Sequence, residues 1–126
     1  MIRQITKIRP PRLSWQKIKN KILSPDYNLS LVFADSRLMA KLNRINRGKS
    51  QPTNVLAFEL ESNRGEIFLN TGLIRKEAEN TGISFKKHTF YLYIHALLHL
   101  KGFGHKNETE EKIMKKEEKK WLKMSF

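Results

Sequence analysis

The stretch SFKKHTFYLYIHALLHLKG, residues 84–102, decides how this chain folds. Ser84 is a good N-cap and Gly102 tolerates the left-handed conformation that ends helices, so the two bracket one helix. Inside it Phe85, Phe90, Leu92, Ile94, Leu97, Leu98 and Leu100 leave almost no polar face. Such a helix belongs at the centre of a fold, with the other elements packed around it.

Working upstream, Thr71 opens a short helix that ends near Gly82. Before it, residues 55–60 and 67–69 read as strands, the first of them buried. Asn63, Arg64 and Gly65 supply the turn chemistry of a hairpin between them. Asp35 or Ser36 caps a helix with Leu38, Met39, Leu42 and Ile45 at helical spacing, closed by Gly48. Leu29, Leu31 and Phe33 mark another strand. Ser14 opens a first helix that runs to about Leu23 and stops before Pro25, and residues 2–8 form a strand stopped by Pro10 and Pro11. Downstream, Asn107 or Thr109 starts a last helix whose inward stripe is Ile113, Met114, Glu117, Trp121 and Leu122. Its remaining charges, with Glu108/Lys112 and Glu111/Lys115 four residues apart, read as a solvated face. Strands and helices mix without regular βαβ alternation, and no repeat, low-complexity tract or linker divides the chain. The expected class is therefore α+β. Residues 1–126 should form a single compact domain, a small mixed sheet packed with about five helices.

Composition narrows the function. The 126 residues include 25 Lys and Arg against 12 Asp and Glu, a net charge of +13. A field of that sign attracts polyanions, of which nucleic acid is the commonest in a cell, although a merely basic surface would carry the same charge. The cations are dispersed, recurring at Lys17, Lys19 and Lys21, at Lys41, Arg44, Arg47 and Lys49, at Arg75 and Lys76, at Lys86 and Lys87, and through the C-terminal segment. That pattern suits a shaped nucleic-acid surface better than a disordered basic arm. No cysteine is present, which excludes disulfides, thiolate metal sites and a cysteine nucleophile. No apolar run reaches the roughly 18 residues of a membrane span, and the basic first twenty residues lack a signal-peptide core. A cytoplasmic protein with no membrane partner is expected.

The central helix also carries chemistry. His95 and His99 lie four residues apart, hence on one helix face about 6 Å apart along the axis. Gly102 and Gly104 allow the chain to fold back and bring His105 as a third nitrogen. Three neutral imidazoles leave a tetrahedral zinc with one open position, the arrangement of a catalytic site, although nickel or another imidazole-binding metal would also suit. The alternative is a pair of core histidines satisfied by hydrogen bonds. His88 stands about 10.5 Å before His95 and is too far to share the ion. The spacing is similar to the metzincin pattern HExxHxxGxxH, but Ala96 replaces the glutamate that peptidases of that kind need as a base.

A second segment, LNRINRGKSQPTNVLAF at residues 42–58, joins a helix end, a basic turn and a strand. Arg47 and Lys49, flanking Gly48, could grip a phosphate, or Arg47 could simply meet the helix C-terminus. The two segments together resemble the YbeY family of bacterial metal-dependent endoribonucleases, whose LNxxxRGKxxPTxVLxF and HxxxHLxGxxH motifs occur here in that order. GEI at residues 65–67 and the helix with Met114, Glu117 and Glu118 extend the resemblance over nearly the whole chain. It implies His95, His99 and His105 as zinc ligands and Arg47 as a catalytic or RNA-gripping residue. It also implies single-stranded RNA as substrate, late 3′-end maturation of 16S rRNA, ribosome quality control, and the ribosome or its small subunit as partner. The sequence departs from the family at Gly104, usually Asp, at Glu66, usually Asp, and at Ala57, usually Ser. Two rivals remain open at this level. One is a non-catalytic RNA- or ribosome-binding factor with a structural metal, needing a fourth ligand such as His88, Glu66 or Asp35. The other is a metallohydrolase of another kind.

Overall fold

The strand expected around Leu29, Leu31 and Phe33 is β2, Asn28–Ala34, and the sheet is built about it. The computed structural model describes residues 1–48, 53–104 and 107–123. Along the chain come β1 (Ile2–Gln4), α1 (Trp15–Ile22), β2, α2 (Ser36–Arg47), β3 (Val55–Glu61), β4 (Arg64–Asn70), α3 (Thr71–Thr81), α4 (Phe85–Lys101) and α5 (Glu108–Leu122). Among the described residues the sheet has the order β1-β2-β4-β3; β2 pairs in parallel with β1 and with β4, while β3 runs antiparallel to β4. The mixed α+β class is as expected.

Period-two alternation sorts the side chains between two layers. Leu29, Leu31, Phe33, Ile67 and Leu69 face the main core, where they meet Ile18 and Ile22 of α1, Ile74 of α3, most of α4, and Met114 and Trp121 of α5. Ala34, Leu56, Phe58 and Phe68 face the other way and pack against Leu38, Met39 and Leu42 of α2. Tyr93 anchors the main core: its ring meets Trp15 edge-on at 4.9 Å and its hydroxyl donates to the Trp15 carbonyl at 2.9 Å.

Local chemistry sets the helix ends. Asp35, Asn70, Ser84 and Asn107 each accept a backbone N–H from three residues on, satisfying donors the helix itself leaves open. At the far end of α4, Gly102 has φ +117; its N–H reaches the His99 carbonyl and the Phe103 N–H reaches Leu98. This is the Schellman closure, and it turns the chain sharply at the place the sequence marks.

Several expectations need correction. The β1 strand is three residues long, not seven. β3 is an edge strand among the described residues, not a buried one: Leu56 is buried, but Glu59, Leu60 and Glu61 toward the hairpin tip are exposed. The inward stripe of α5 is Met114, Glu118 and Trp121, and Ile113 is 48% exposed, so the helix is rotated from the expected face. Lys19 is not a surface cation. It is 3% exposed, and its ammonium donates to the carbonyls of Ser24, Pro25 and Tyr27, tying the turn after α1.

Candidate metal centre

The edge position of β3 creates a cleft. Val55 and Ala57 project toward α4, and with Thr53, Asn54, His95, Ala96 and His99 they line a space of about 230 Å³. That is smaller than the pockets that enclose organic cofactors, and of a size for an ion and a small polar group. Eight residues of α4 are buried, yet His95 and His99, one turn apart, open on the cleft, with Tyr91 exposed one turn before them. The imidazoles are thus not core histidines. The helix is apolar where sheet and helices cover it and presents imidazoles on the side of the cleft.

His95 is held from behind. The chain turns at Gly102, Asn107 caps α5, and α5 then runs back along α4 for about three turns to bring Glu118 against His95. The Nδ1 of His95 is hydrogen-bonded to the Glu118 carboxylate, which is 5% exposed. An imidazole that donates Nδ1–H to a carboxylate carries its lone pair on Nε2 and is fixed in orientation, the usual support for a metal-binding histidine. Sequence reading grouped Glu118 with residues echoing the family but assigned the inward place to Glu117. The spacing of Met114, Glu118 and Trp121, i, i+4 and i+7, is the signal that identifies it.

A second carboxylate shapes the cleft wall. Glu77 Oε1 of α3 accepts from Asn54 Nδ2 at 3.0 Å and lies 3.0 Å from His88 Nε2. His88 is therefore engaged away from the centre, in agreement with its spacing. Of the other candidates for a fourth ligand, Asp35 caps α2, and Glu66 is not among the residues lining the cleft. Ala96 contributes only a methyl group where a peptidase would need a carboxylate. Ala57, in the place of the family's serine, likewise contributes a methyl group.

His95 and His99 are brought together as expected, one turn apart on one wall. His105, the third expected ligand, lies outside the described residues, as do Lys49 and the rest of the turn at residues 49–52. Arg47 is the last residue of α2, immediately before that turn, and its side chain is outside the description. Among the described residues no three metal-ligating side chains cluster. What is described fits a metal: two imidazoles on successive turns of a rigid helix, one oriented by a buried carboxylate. Gly104 also has a structural counterpart. A Cβ built there would stand 3.1 Å from Glu110 Oε2, a tight contact with the far end of an α5 side chain.

The motifs, the sheet and the cleft can be set beside known proteins. The family model described as Endoribonuclease YbeY matches residues 5–125. The Endoribonuclease YbeY of Wolbachia pipientis (strain wPip) is 39% identical over 100 residues, covering 75% of this chain and 66% of that protein. That of Campylobacter jejuni (strain RM1221) is 37% identical over 101 residues, covering 76% and 74%. That of Petrotoga mobilis is 30% identical over 113 residues, covering 87% and 78%. The solution structure of TM1509 from Thermotoga maritima superposes with a TM-score of 0.64 at 25% identity, covering 97% of this chain and 87% of that one. With a family match that runs nearly end to end, and relatives at 30–39% identity that share most of their length with it, this chain belongs to the YbeY family.

Proposed function

We propose that this protein is a zinc-dependent endoribonuclease that cuts single-stranded segments of precursor rRNA, maturing the 3′ end of small-subunit rRNA and serving ribosome quality control. The observation that carries the reading is the pairing of His95 with the buried Glu118 beside His99 in an open cleft, within a family named for endoribonuclease activity. His95, His99 and His105 would hold the ion, with Glu118 fixing the ring of His95. A bound zinc supplies Lewis-acid polarisation of a phosphoryl oxygen and lowers the pKa of a bound water toward 7. Arg47 is assigned to the phosphate, where a guanidinium neutralises developing charge in a bidentate manner. Asn54, held by Glu77, offers the cleft wall a fixed amide for the RNA strand. The partners are rRNA and the ribosome or its small subunit, and the compartment is the cytoplasm; no helix among the described residues is long and apolar enough to cross a membrane.

The test is metal analysis and cleavage of a structured RNA with single-stranded arms, for the wild type and for His99→Ala. The variant should lose metal and cleavage together while still binding RNA. Undiminished cleavage by a variant shown to be metal-free would overturn the mechanism.

A further inference from the structure

The outer face of α2 carries charge that folding does not explain. Arg37, Lys41 and Arg44 lie at i, i+4 and i+7, all three are exposed, and with Ala40 they line a shallow groove of about 260 Å³. They are opposite Leu38, Met39 and Leu42, by which the helix packs on the sheet. No residue of α2 is acidic, and the first turn has no carboxylate. Arg37 therefore stands in the first turn, where the helix dipole disfavours a cation. Arg37 with Lys41, and Lys41 with Arg44, are like-charge neighbours on one helix face, a further destabilisation. In α5, by contrast, lysines are interleaved with glutamates.

We propose that the Arg37–Lys41–Arg44 groove is a phosphate track that holds the RNA backbone outside the cleft. The inference rests on the reading that this chain acts on RNA. The three cations rise about 6 Å and then 4.5 Å along the helix axis, forming a line suited to consecutive charges of one strand. Ala40 at the floor leaves the groove open to a phosphate group. Arg offers a bidentate fork to phosphate and Lys a point charge, and neither reads base identity, so the track positions the strand without choosing its sequence. It is also linked to the cleft. Arg44 is in the last turn of α2, and the chain from Gly48 to Thr53, which lines the cleft, can span at most about 18 Å.

The experiment measures binding of a single-stranded oligoribonucleotide across a salt series by fluorescence anisotropy, with strand integrity checked on a gel. It compares the wild type, R37Q/K41Q/R44Q, and K112Q/K116Q/K119Q in α5, which removes the same charge elsewhere. Each lost phosphate contact flattens the dependence of log affinity on log salt by about 0.7. The α2 variant should therefore flatten it by about two, and the α5 variant should leave it near the wild-type slope. Thermal melting supplies a second reading: removing like-charge repulsion should leave the α2 variant at least as stable as the wild type. An unchanged slope in a folded α2 variant overturns the track alone, and equal flattening in both variants does the same, because bulk charge then accounts for binding. A wild type that does not bind the RNA overturns both the track and the functional reading beneath it.

Discussion

The carboxylate of Glu118 on α5 is buried against Nδ1 of His95 on α4, twenty-three residues away in sequence. It sits behind the cleft and is separated from solvent, so its charge is expressed through the imidazole ring. Tyr91 feels it too: with burial, the Glu118 charge raises the Tyr91 phenol above its ordinary value.

Glu118→Gln tests that relationship. The amide keeps the shape of the side chain but not its charge, so His95 is left at most a neutral amide oxygen as partner in place of a carboxylate. Metal affinity should fall about 10- to 100-fold, the range for supporting carboxylates, while the fold is retained. A chelator-competition titration measures this beside thermal melting. Wild-type affinity in a folded variant would show that the carboxylate does not tune the ligand.

Gly65 is packed too tightly for a side chain. A Cβ there would stand 2.5 Å from Tyr27 Oη, 3.0 Å from the Phe58 carbonyl oxygen and 3.2 Å from Leu100 Cδ1. Gly65→Ala should cost about 1–3 kcal/mol by overpacking, read from the denaturant midpoint. The Tyr27 hydroxyl has no hydrogen-bond partner among the described residues, so Tyr27→Phe should be neutral or stabilising. The double variant should recover part of the Gly65→Ala loss, because the nearest obstructing atom is gone.

Lys19→Met removes an ammonium that satisfies three carbonyls after α1. Their loss should destabilise the protein by about 1–3 kcal/mol even though the new side chain is apolar and of similar length. The turn holds Ser24 at φ +155, a conformation uncommon for a residue with a side chain. Equilibrium denaturation measures the loss, and exchange protection of the Tyr27 and Asn28 amides should fall with it.

Alkaline pH should weaken the fold through tyrosine. Burial raises Tyr27, Tyr91 and, most strongly, Tyr93. A phenol raised in the folded state contributes stability that is fully present below the unfolded value of about 10 and lost as pH rises through the folded value. Stability measured by denaturation should thus decline above about pH 10, with phenolate absorbance appearing late in the folded protein. Tyr93→Phe should reduce that decline, at the cost of about 1 kcal/mol at neutral pH for the lost bond to Trp15.

Much of the architecture was legible because it is local. Asp35, Ser84 and Asn107 cap the helices they precede, and Gly48, Gly82 and Gly102 end theirs with positive φ. Cap chemistry acts within one turn, so it can be read without knowing what the helix packs against. The same holds for His95 and His99, whose shared face follows from helix geometry alone. The misreadings were of another kind. The apolar composition of residues 55–60 says that one face of β3 is covered, but not that its outer edge is bare. The stripe of α5 was displaced because Ile113 is apolar and Glu118 is charged, and composition favours the wrong one.

The order of the elements, the helix caps, the surplus of positive charge and the adjacent pair of imidazoles were determined by the sequence alone, since each depends on residues a few places apart or on a simple sum. The tertiary structure decided which carboxylate meets His95, that Lys19 turns inward to three carbonyls, that β3 forms one wall of a cleft, and that Arg37, Lys41 and Arg44 face outward together. These depend on the packing of segments distant in the chain, where the geometry of the whole core, and no local preference, selects which side chain is covered and which is left to act.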